Sequence, residues 1–363
     1  MRRVRAAVVR GTGEDLLIED LSMRDPGPGE VVVSVRACAV CHSDLGYLDG
    51  IWGSALPVVV GHEAVGVVEE VGEGVTRAVV GDRVAATLIR SCGACPACRS
   101  DRETQCRAVP DVADVLRDAG GTAIGHGMGV AAFAERALVH ESQIAPLPDG
   151  LSDEAASLLG CGVLTGCGAV ANVARVAAGE CVVVVGCGGV GLNSIQAARA
   201  AGAAPIVAVD PSPERRAVAE RLGATRSLDP NAASAETIAA LCDGFGADAV
   251  FVAVGHADAV TRATDWLAPG GRLVVLGMPP SGALSRFEPT TLAFGGHSIV
   301  GSRMGASVVA RDVPRWARAA LDGTLELETL VARLWPLDEI NGAIRAAREG
   351  EGVRQVVVMT GSE

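Results

Sequence analysis

Four cysteines dominate the chemistry legible in this 363-residue chain: Cys92, Cys95 and Cys98 at two-residue gaps, followed by Cys106. Short turns between such thiols aim successive sulfurs at one tetrahedral centre, and a fourth thiolate closes it with no position left for water. The lobe at 91–107 therefore reads as a structural zinc site rather than a catalytic one. A disulfide pair with spare thiols, or a redox Cys-x-x-Cys, is the competing reading, and neither needs so many thiols. Three more potential ligands lie outside the lobe. Cys41 opens Cys-His-Ser-Asp44, His62 sits in Gly61-His-Glu63, and Cys161 in Gly160-Cys-Gly162. A Cys₂His set leaves zinc one open position, as Lewis-acid activation of an alcohol or carbonyl requires. Each of the three also reads singly as core filler, and spacing alone does not unite them.

A second chemistry is written at Val182-Val-Val-Val-Gly186-Cys-Gly188-Gly189-Val190-Gly191. Gly186 permits a tight turn, Gly188 lets backbone N–H groups approach a pyrophosphate, and Gly191 lets the next helix pack close to the strand. A bare G-x-G-x-x-G is often only a turn. Here a four-valine strand precedes it, a helical pattern follows, and Asp210 ends the next strand, where a carboxylate would accept the adenosine ribose hydroxyls. Capping ahead of Pro211-Ser-Pro is the plainer role for Asp210. A carboxylate there repels a 2′-phosphate, which favours NAD over NADP.

These residues need two kinds of scaffold. The first 150 residues read as short β strands broken by Gly and Pro, such as Val31–Cys38 and Ala64–Val71, which suits an irregular, mostly antiparallel domain. Ser152 caps an apolar helix, and beyond it strand and helix patterns alternate: Val182–Val185, a helix at Gly191–Ala201, Ile206–Val209, a helix at Pro213–Leu222, Ala249–Val254, a helix at Asp258–Leu267, and Arg272–Leu276. Such alternation means a doubly wound parallel α/β sheet. Helices at Val313–Leu321 and Leu337–Glu349 and a strand at Gln355–Met359 follow, and this tail rejoins the first domain. The expected division is a catalytic domain at 1–162 and 304–363 and a nucleotide-binding domain at 163–303.

Composition sets limits. Hydrophobic residues make up 49% and aromatics only 3%, so the cores must be built from Val, Ala and Leu. There is no lysine, so all 31 basic residues are arginine, and Schiff-base catalysis by a side-chain amine is excluded. A net charge of −12 argues against nucleic acid or an anionic membrane as partner. Eleven cysteines without a charged-then-apolar leader, and with no run of membrane-spanning length, point to a reducing, cytoplasmic setting.

In combination, Cys-His-Ser-Asp, Gly-His-Glu, the four-Cys lobe, Gly-Cys-Gly and G-x-G-x-x-G resemble the zinc-dependent medium-chain alcohol dehydrogenases, essentially end to end. The resemblance implies a Rossmann-type nucleotide domain with a mostly β, GroES-like catalytic domain, and two zinc ions per chain. Cys41, His62 and Cys161 would hold the catalytic ion. Asp44 would orient the ligand sphere, and Glu63 would sit behind the metal. Ser43 matches the hydroxyl that takes the alcohol proton as hydride passes to the nicotinamide. His42 and Arg354 match positions at the cofactor pyrophosphate, Arg215 one at the adenosine ribose, and Thr165 and Val190 positions against the nicotinamide. Leu88 and Met304 match pocket-lining positions. Tyr47 and Trp52, scarce aromatics between Cys41 and His62, would wall the substrate cleft or pack in the core. One departure stands out: many relatives carry a proton-relay histidine where this chain has Gly46.

The implied activity is hydride transfer between NAD(H) and an alcohol, aldehyde or ketone. The competing enzyme readings are a dehydrogenase of thiol–formaldehyde (S-hydroxymethyl) adducts and an imine or enal reductase of specialised metabolism. A non-catalytic NAD or zinc sensor would not need Ser43, Asp44 and Glu63 together with an open metal site. The strand around Ser298–Gly301 is a plausible pairing edge for a homodimer or homotetramer.

Overall fold

The computed structural model describes residues 1–51, 55–109 and 112–359; Trp52 lies outside the described residues. The chain divides into two compact units: 1–162 with 308–323 and 327–363, and 163–307 with 324–326.

The first unit is organised by one strand, Glu30–Ala39. Successive side chains of a strand point to opposite faces. Val31, Val33 and Val35 enter one apolar core with Phe133 and Val139, while Val32 enters a second core with Val4, Val8, Leu21 and Leu138. A strand apolar on both faces is what a position between two cores demands, which explains its near-continuous valines. It pairs antiparallel with Glu63–Val71, Arg136–His140 and Arg354–Val358 within a seven-stranded sheet. The other core fills a closed barrel of Arg2–Val9, Leu17–Met23, Leu116–Arg117, Ala123–His126 and Val58–Val59.

Register decides where the chemistry falls. Ala39 pairs with Glu63 on one side and with Val356 on the other. Cys41 leaves the end of its strand just where His62 and Glu63 enter theirs and Arg354 begins the third. A shift of one residue would send these side chains to the wrong face.

The second unit carries a six-stranded, wholly parallel sheet in the order Arg226–Leu228, Ile206–Val209, Val182–Val185, Ala247–Val252, Leu267–Val275, Ser298–Gly301. The central strands are buried throughout, as parallel strands covered on both faces must be. Helix Pro213–Leu222 starts as its sequence dictates, with the Ser212 hydroxyl accepting from Arg215 N and proline in the first turn. Several boundaries differ from expectation, among them that the tail helix expected from Val313 already begins at Val309. The helix after the glycine turn begins at Gly189, because Gly188 already serves as its cap. The helix expected over Asp258–Leu267 ends at Ala263, and Leu267 already belongs to the next strand. Residues 304–307 pack with the second unit, where the Ser307 hydroxyl donates to Leu164 O, so the expected start of the tail domain at 304 is early. Residues 324–326 join them, Glu326 N donating to Gln196 and Arg199 to Thr324 O.

The second unit also contains a feature that the sequence reading did not anticipate: Cys181 and Cys242 are joined as a disulfide. No single helix among the described residues is long and apolar enough to cross a membrane.

Candidate metal centre and nucleotide turn

In the first unit, ligand atoms from Cys41, His62, Glu63 and Cys161 lie within 4.8 Å of one another, all buried. One carboxylate arranges them. Asp44 Oδ2 accepts from Cys41 N at 2.9 Å, while Oδ1 accepts from Gly61 N at 3.0 Å and meets His62 Nδ1 at 3.2 Å. Asp44 stands in the first turn of the helix His42–Leu48, where N-terminal N–H groups favour a negative charge. An ionised carboxylate only accepts, so Nδ1 must carry a hydrogen, and Nε2 is the nitrogen left to face a metal, which would displace any proton there. That Nε2 is buried and has no hydrogen-bond partner in the protein. Buried polar atoms without partners are costly, and a metal ligated by a histidine whose other nitrogen is held by a carboxylate accounts for this one.

Cys161 reaches the group because glycine flanks it. A Cβ at Gly160 would lie 2.7 Å from Ala86 O and 2.8 Å from Glu63 Cα, and one at Gly162 would lie 2.5 Å from Arg354 Nη2. The segment threads between the Glu63 backbone and the Arg354 guanidinium only without side chains on either side of Cys161. This close approach is the physical content of the Gly-Cys-Gly motif.

Charge is concentrated here under full burial. The hydrogen bond from Cys161 holds the Cys41 thiol well below the usual range despite burial, and pushes Cys161 up. Burial alone would lower the His62 pKa; the Asp44 carboxylate outweighs it and holds it well above the usual histidine range. Burial pushes Glu63 up to about 8 against the pull of Arg354. Arg354, expected at the cofactor pyrophosphate, is engaged within the first unit. Its Nη2 donates to Glu63 Oε1 at 2.9 Å and its Nη1 to Val40 O at 3.0 Å, and the side chain is only 6% exposed. The strand register places it beside the metal ligands, paired with Glu63.

The four lobe cysteines also converge. Sulfur–sulfur separations are 3.5 Å for Cys95–Cys98, 3.9 Å for Cys95–Cys106 and 4.0 Å for Cys92–Cys98. Four Zn–S bonds of about 2.3 Å in a tetrahedron impose about 3.8 Å. Backbone N–H groups of Cys95 and Cys92 point at the sulfurs of Cys92 and Cys106, as thiolates require. Buried Glu103 accepts from Val309 N at 3.3 Å, tying the lobe to the helix Val309–Leu321.

In the second unit the glycine turn has the geometry its motif requires. Gly186 has φ 94°, a conformation that glycine adopts freely. A Cβ at Gly191 would lie 1.7 Å from Gly186 O, so only glycine lets the helix start against the turn, whereas a Cβ at Gly188 would meet nothing within 4 Å. The turn keeps open space beside Gly188, at the N-terminus of the helix Gly189–Ala200. Asp210 Oδ2 accepts from Cys187 N at 2.7 Å and Oδ1 from Ser212 N at 2.9 Å, so the carboxylate fastens the turn to the end of the neighbouring strand. Thr165 donates to the Met304 sulfur at 3.5 Å, and Gly166 lets the helix bearing Thr165 lie against Val190 O. Arg215 sits in the first turn of its helix.

Of the remaining expected residues, Tyr47 and Leu88 are partly buried and pack against the core of the first unit. His42 is exposed and Ser43 half-buried in the first turn after Cys41. The sequence reading missed two features here: the Arg354–Glu63 pair, and the Asp44 contact with Gly61 N. Only register reveals the first, while the adjacency of Gly61 to His62 carried a signal for the second.

Asp44→Asn should weaken zinc at the Cys41/His62/Cys161 centre by roughly 10–100-fold, because one amide cannot accept from all three donors. Zinc in the four-Cys lobe should be unaffected. Chelator titration with a metal-sensitive dye resolves the two classes, and equal loss from both would show that Asp44 does not orient this centre.

Comparison with known proteins agrees with this geometry. The family description "Alcohol dehydrogenase GroES-like domain" matches residues 27–149, and "Zinc-binding dehydrogenase" matches 189–321. The chain is 32% identical to the NDMA-dependent alcohol dehydrogenase of Amycolatopsis methanolica, covering 98% of this chain and 99% of that one. It is 35% identical to an S-(hydroxymethyl)glutathione dehydrogenase of Escherichia coli, covering 97% and 99%. The crystal structure of an alcohol dehydrogenase zinc-binding domain protein from Burkholderia ambifaria superposes with a TM-score of 0.95 at 34% identity, covering 99% of this chain and all of that one. The expected pairing of a Rossmann-type sheet with a GroES-like domain holds. Matched along its whole length and carrying both cysteine sets, the chain belongs to the zinc-dependent medium-chain alcohol dehydrogenase family.

Proposed function

We propose that this protein is an NAD-dependent alcohol dehydrogenase, EC class 1.1.1, that interconverts an alcohol with its aldehyde or ketone. The observation that carries the reading is His62 Nε2: buried, unpartnered, and grouped with two cysteine sulfurs and a carboxylate while Asp44 holds Nδ1. Zinc held by Cys41, His62 and Cys161 would supply Lewis acidity toward the substrate oxygen, and a second ion in the four-Cys lobe would only stiffen the fold. The chain's own residues do the rest. Ser43, two residues beyond Cys41, takes the alcohol proton. Glu63 with Arg354 sets the charge behind the ligands. The open space at Gly188 admits the pyrophosphate, with His42 a further contact, and Thr165 and Val190 hold the nicotinamide ring. A panel of primary and secondary alcohols with NAD, read at the absorbance of NADH, tests the proposal; no turnover with any member by zinc-loaded protein would refute it. Formaldehyde with a small thiol belongs in the panel, because the relative from Escherichia coli carries the name of a thiol-adduct dehydrogenase.

NAD rather than NADP is supported by Asp210, which is only 3% exposed and whose oxygens anchor the turn. Setting a 2′-phosphate against this carboxylate costs about 2–3 kcal/mol, or roughly 100-fold in kcat/KM. Asp210→Ser should narrow that ratio, and equal kcat/KM for both cofactors in the wild type would refute the assignment.

A homodimer, alone or as half of a tetramer, is supported by the strand Ser298–Gly301. It pairs on one side only, is exposed along its length, and follows Phe294, which is 96% exposed. A cytoplasmic location is supported by the thiol-rich composition.

Gly46, buried within the helix His42–Leu48, carries no titratable group at the position where many relatives have a relay histidine. Such a base contributes roughly 10²–10⁴-fold. Alcohol oxidation should therefore climb steadily from pH 6 to alkaline pH, with carbonyl reduction at neutral pH affected less. A flat oxidation profile between pH 6 and 8 would instead assign the task to His42 or Tyr47.

A further inference from the structure

Of the five cysteines outside the two metal sets, Cys181 and Cys242 meet. Cys181 immediately precedes the strand Val182–Val185 and Cys242 ends the helix Ala235–Leu241; they are bonded across 61 residues with Cα atoms 5.7 Å apart, within the usual disulfide range. The pair is held from both sides of Cys181, whose N donates to Asp248 Oδ2 at 2.8 Å and whose O accepts from Asp248 N at 3.0 Å. The nine other cysteines are free thiols, six of them in the two metal sets.

Both cysteines are buried, at 5% and 3% exposure, but the bond borders open space. Both cysteines line a cavity of about 330 Å³ walled by Pro205, Phe245 and Pro269, and Phe245 is 73% exposed at its rim. The charged residues among its walls are Asp243 and Asp248; the adjacent Arg272, whose Nη1 donates to Asp248 O, is paired with Glu180, so the surroundings stay acidic. An entering anion is repelled there, while a neutral or cationic molecule is not.

We propose that Cys181–Cys242 is a reversible thiol-exchange site that reacts with small neutral or cationic thiols in preference to anionic ones. The thiolate of one such molecule attacks a sulfur of the pair. The protein S–S bond breaks, a mixed disulfide forms, and the displaced cysteine sulfur takes a proton from water. A second thiolate attacks the mixed disulfide, freeing the other cysteine, which is likewise protonated, and releasing the small-molecule disulfide. Two electrons pass to the protein, and the small disulfide reverses the sequence. The exchange lies at the start of the strand whose far end carries Gly186, so it ties the sheet without touching the nucleotide turn. In a reducing compartment the pair rests as two thiols, which reconciles it with the chain's metal-binding cysteines.

The test is acid quenching, alkylation and mass spectrometry of the zinc-loaded protein. After equilibration with a small neutral disulfide, nine alkylated cysteines and a linked peptide joining Cys181 to Cys242 are expected; after a neutral thiol, 11, with the circular dichroism unchanged. Reduction should lower the melting temperature by roughly 5–10 °C, and Cys242→Ser should melt at the reduced value whatever the redox state. Cysteamine should outpace mercaptoacetate several-fold after correction for their rates on a model disulfide. Eleven free thiols under the oxidising condition, reduction only on unfolding, or equal corrected rates for the two thiols would overturn the proposal.

Discussion

The carboxylate of Asp44 is the constraint on which the rest of the first unit turns. Burying a charge is costly unless donors surround it, and this one is fully buried. Three donors compensate it: the backbone N–H groups of Cys41 and Gly61 and the ring of His62. All three belong to, or adjoin, residues whose sulfur or nitrogen would face a metal. Stabilising the charge and setting the metal ligands are therefore one event. The imidazole cannot rotate without leaving Asp44 short of a donor, and that fixes which nitrogen is presented.

Around this carboxylate the fold is arranged to bring distant chain segments to one place. The two-sided core packing of Glu30–Ala39 pins its register, and that register carries Cys41, His62, Glu63 and Arg354 to the same end of the sheet. Cys161 arrives from a separate segment and must pass between filled positions, so glycine stands on both sides of it. The Arg354–Glu63 pair then keeps a second carboxylate beside the ligands without leaving it unpaired. The second unit solves a simpler problem by simpler means. A parallel sheet buried on both faces delivers a strand end, glycine opens the turn, and Asp210 fastens it.

Much of this was legible in the sequence, for identifiable reasons. Ile206–Val209 and Pro213–Leu222 fall where they were read, because an apolar, mostly β-branched run and a Ser-Pro start are local signals. The four-Cys lobe was readable because its ligands lie close enough for spacing to imply geometry. Cys41, His62 and Cys161 were not joined by spacing, since only strand register and the threading of residues 160–162 bring them together. Arg354 shows the same limit: its identity was noticed, but its partner is set by a pairing between residues far apart in sequence. The Cys181–Cys242 bond was missed because the composition implied free thiols, and nothing local to either cysteine names the other.

The central claim is that Asp44 forces His62 to present Nε2 to a metal shared with Cys41 and Cys161. Anomalous diffraction at the zinc absorption edge, on crystals grown without chelator, tests it most directly. Two peaks per chain are predicted: one within the four-Cys lobe, and one at bonding distance from His62 Nε2 and the sulfurs of Cys41 and Cys161. A single peak in the lobe, or a second peak bound through His62 Nδ1, would contradict the account.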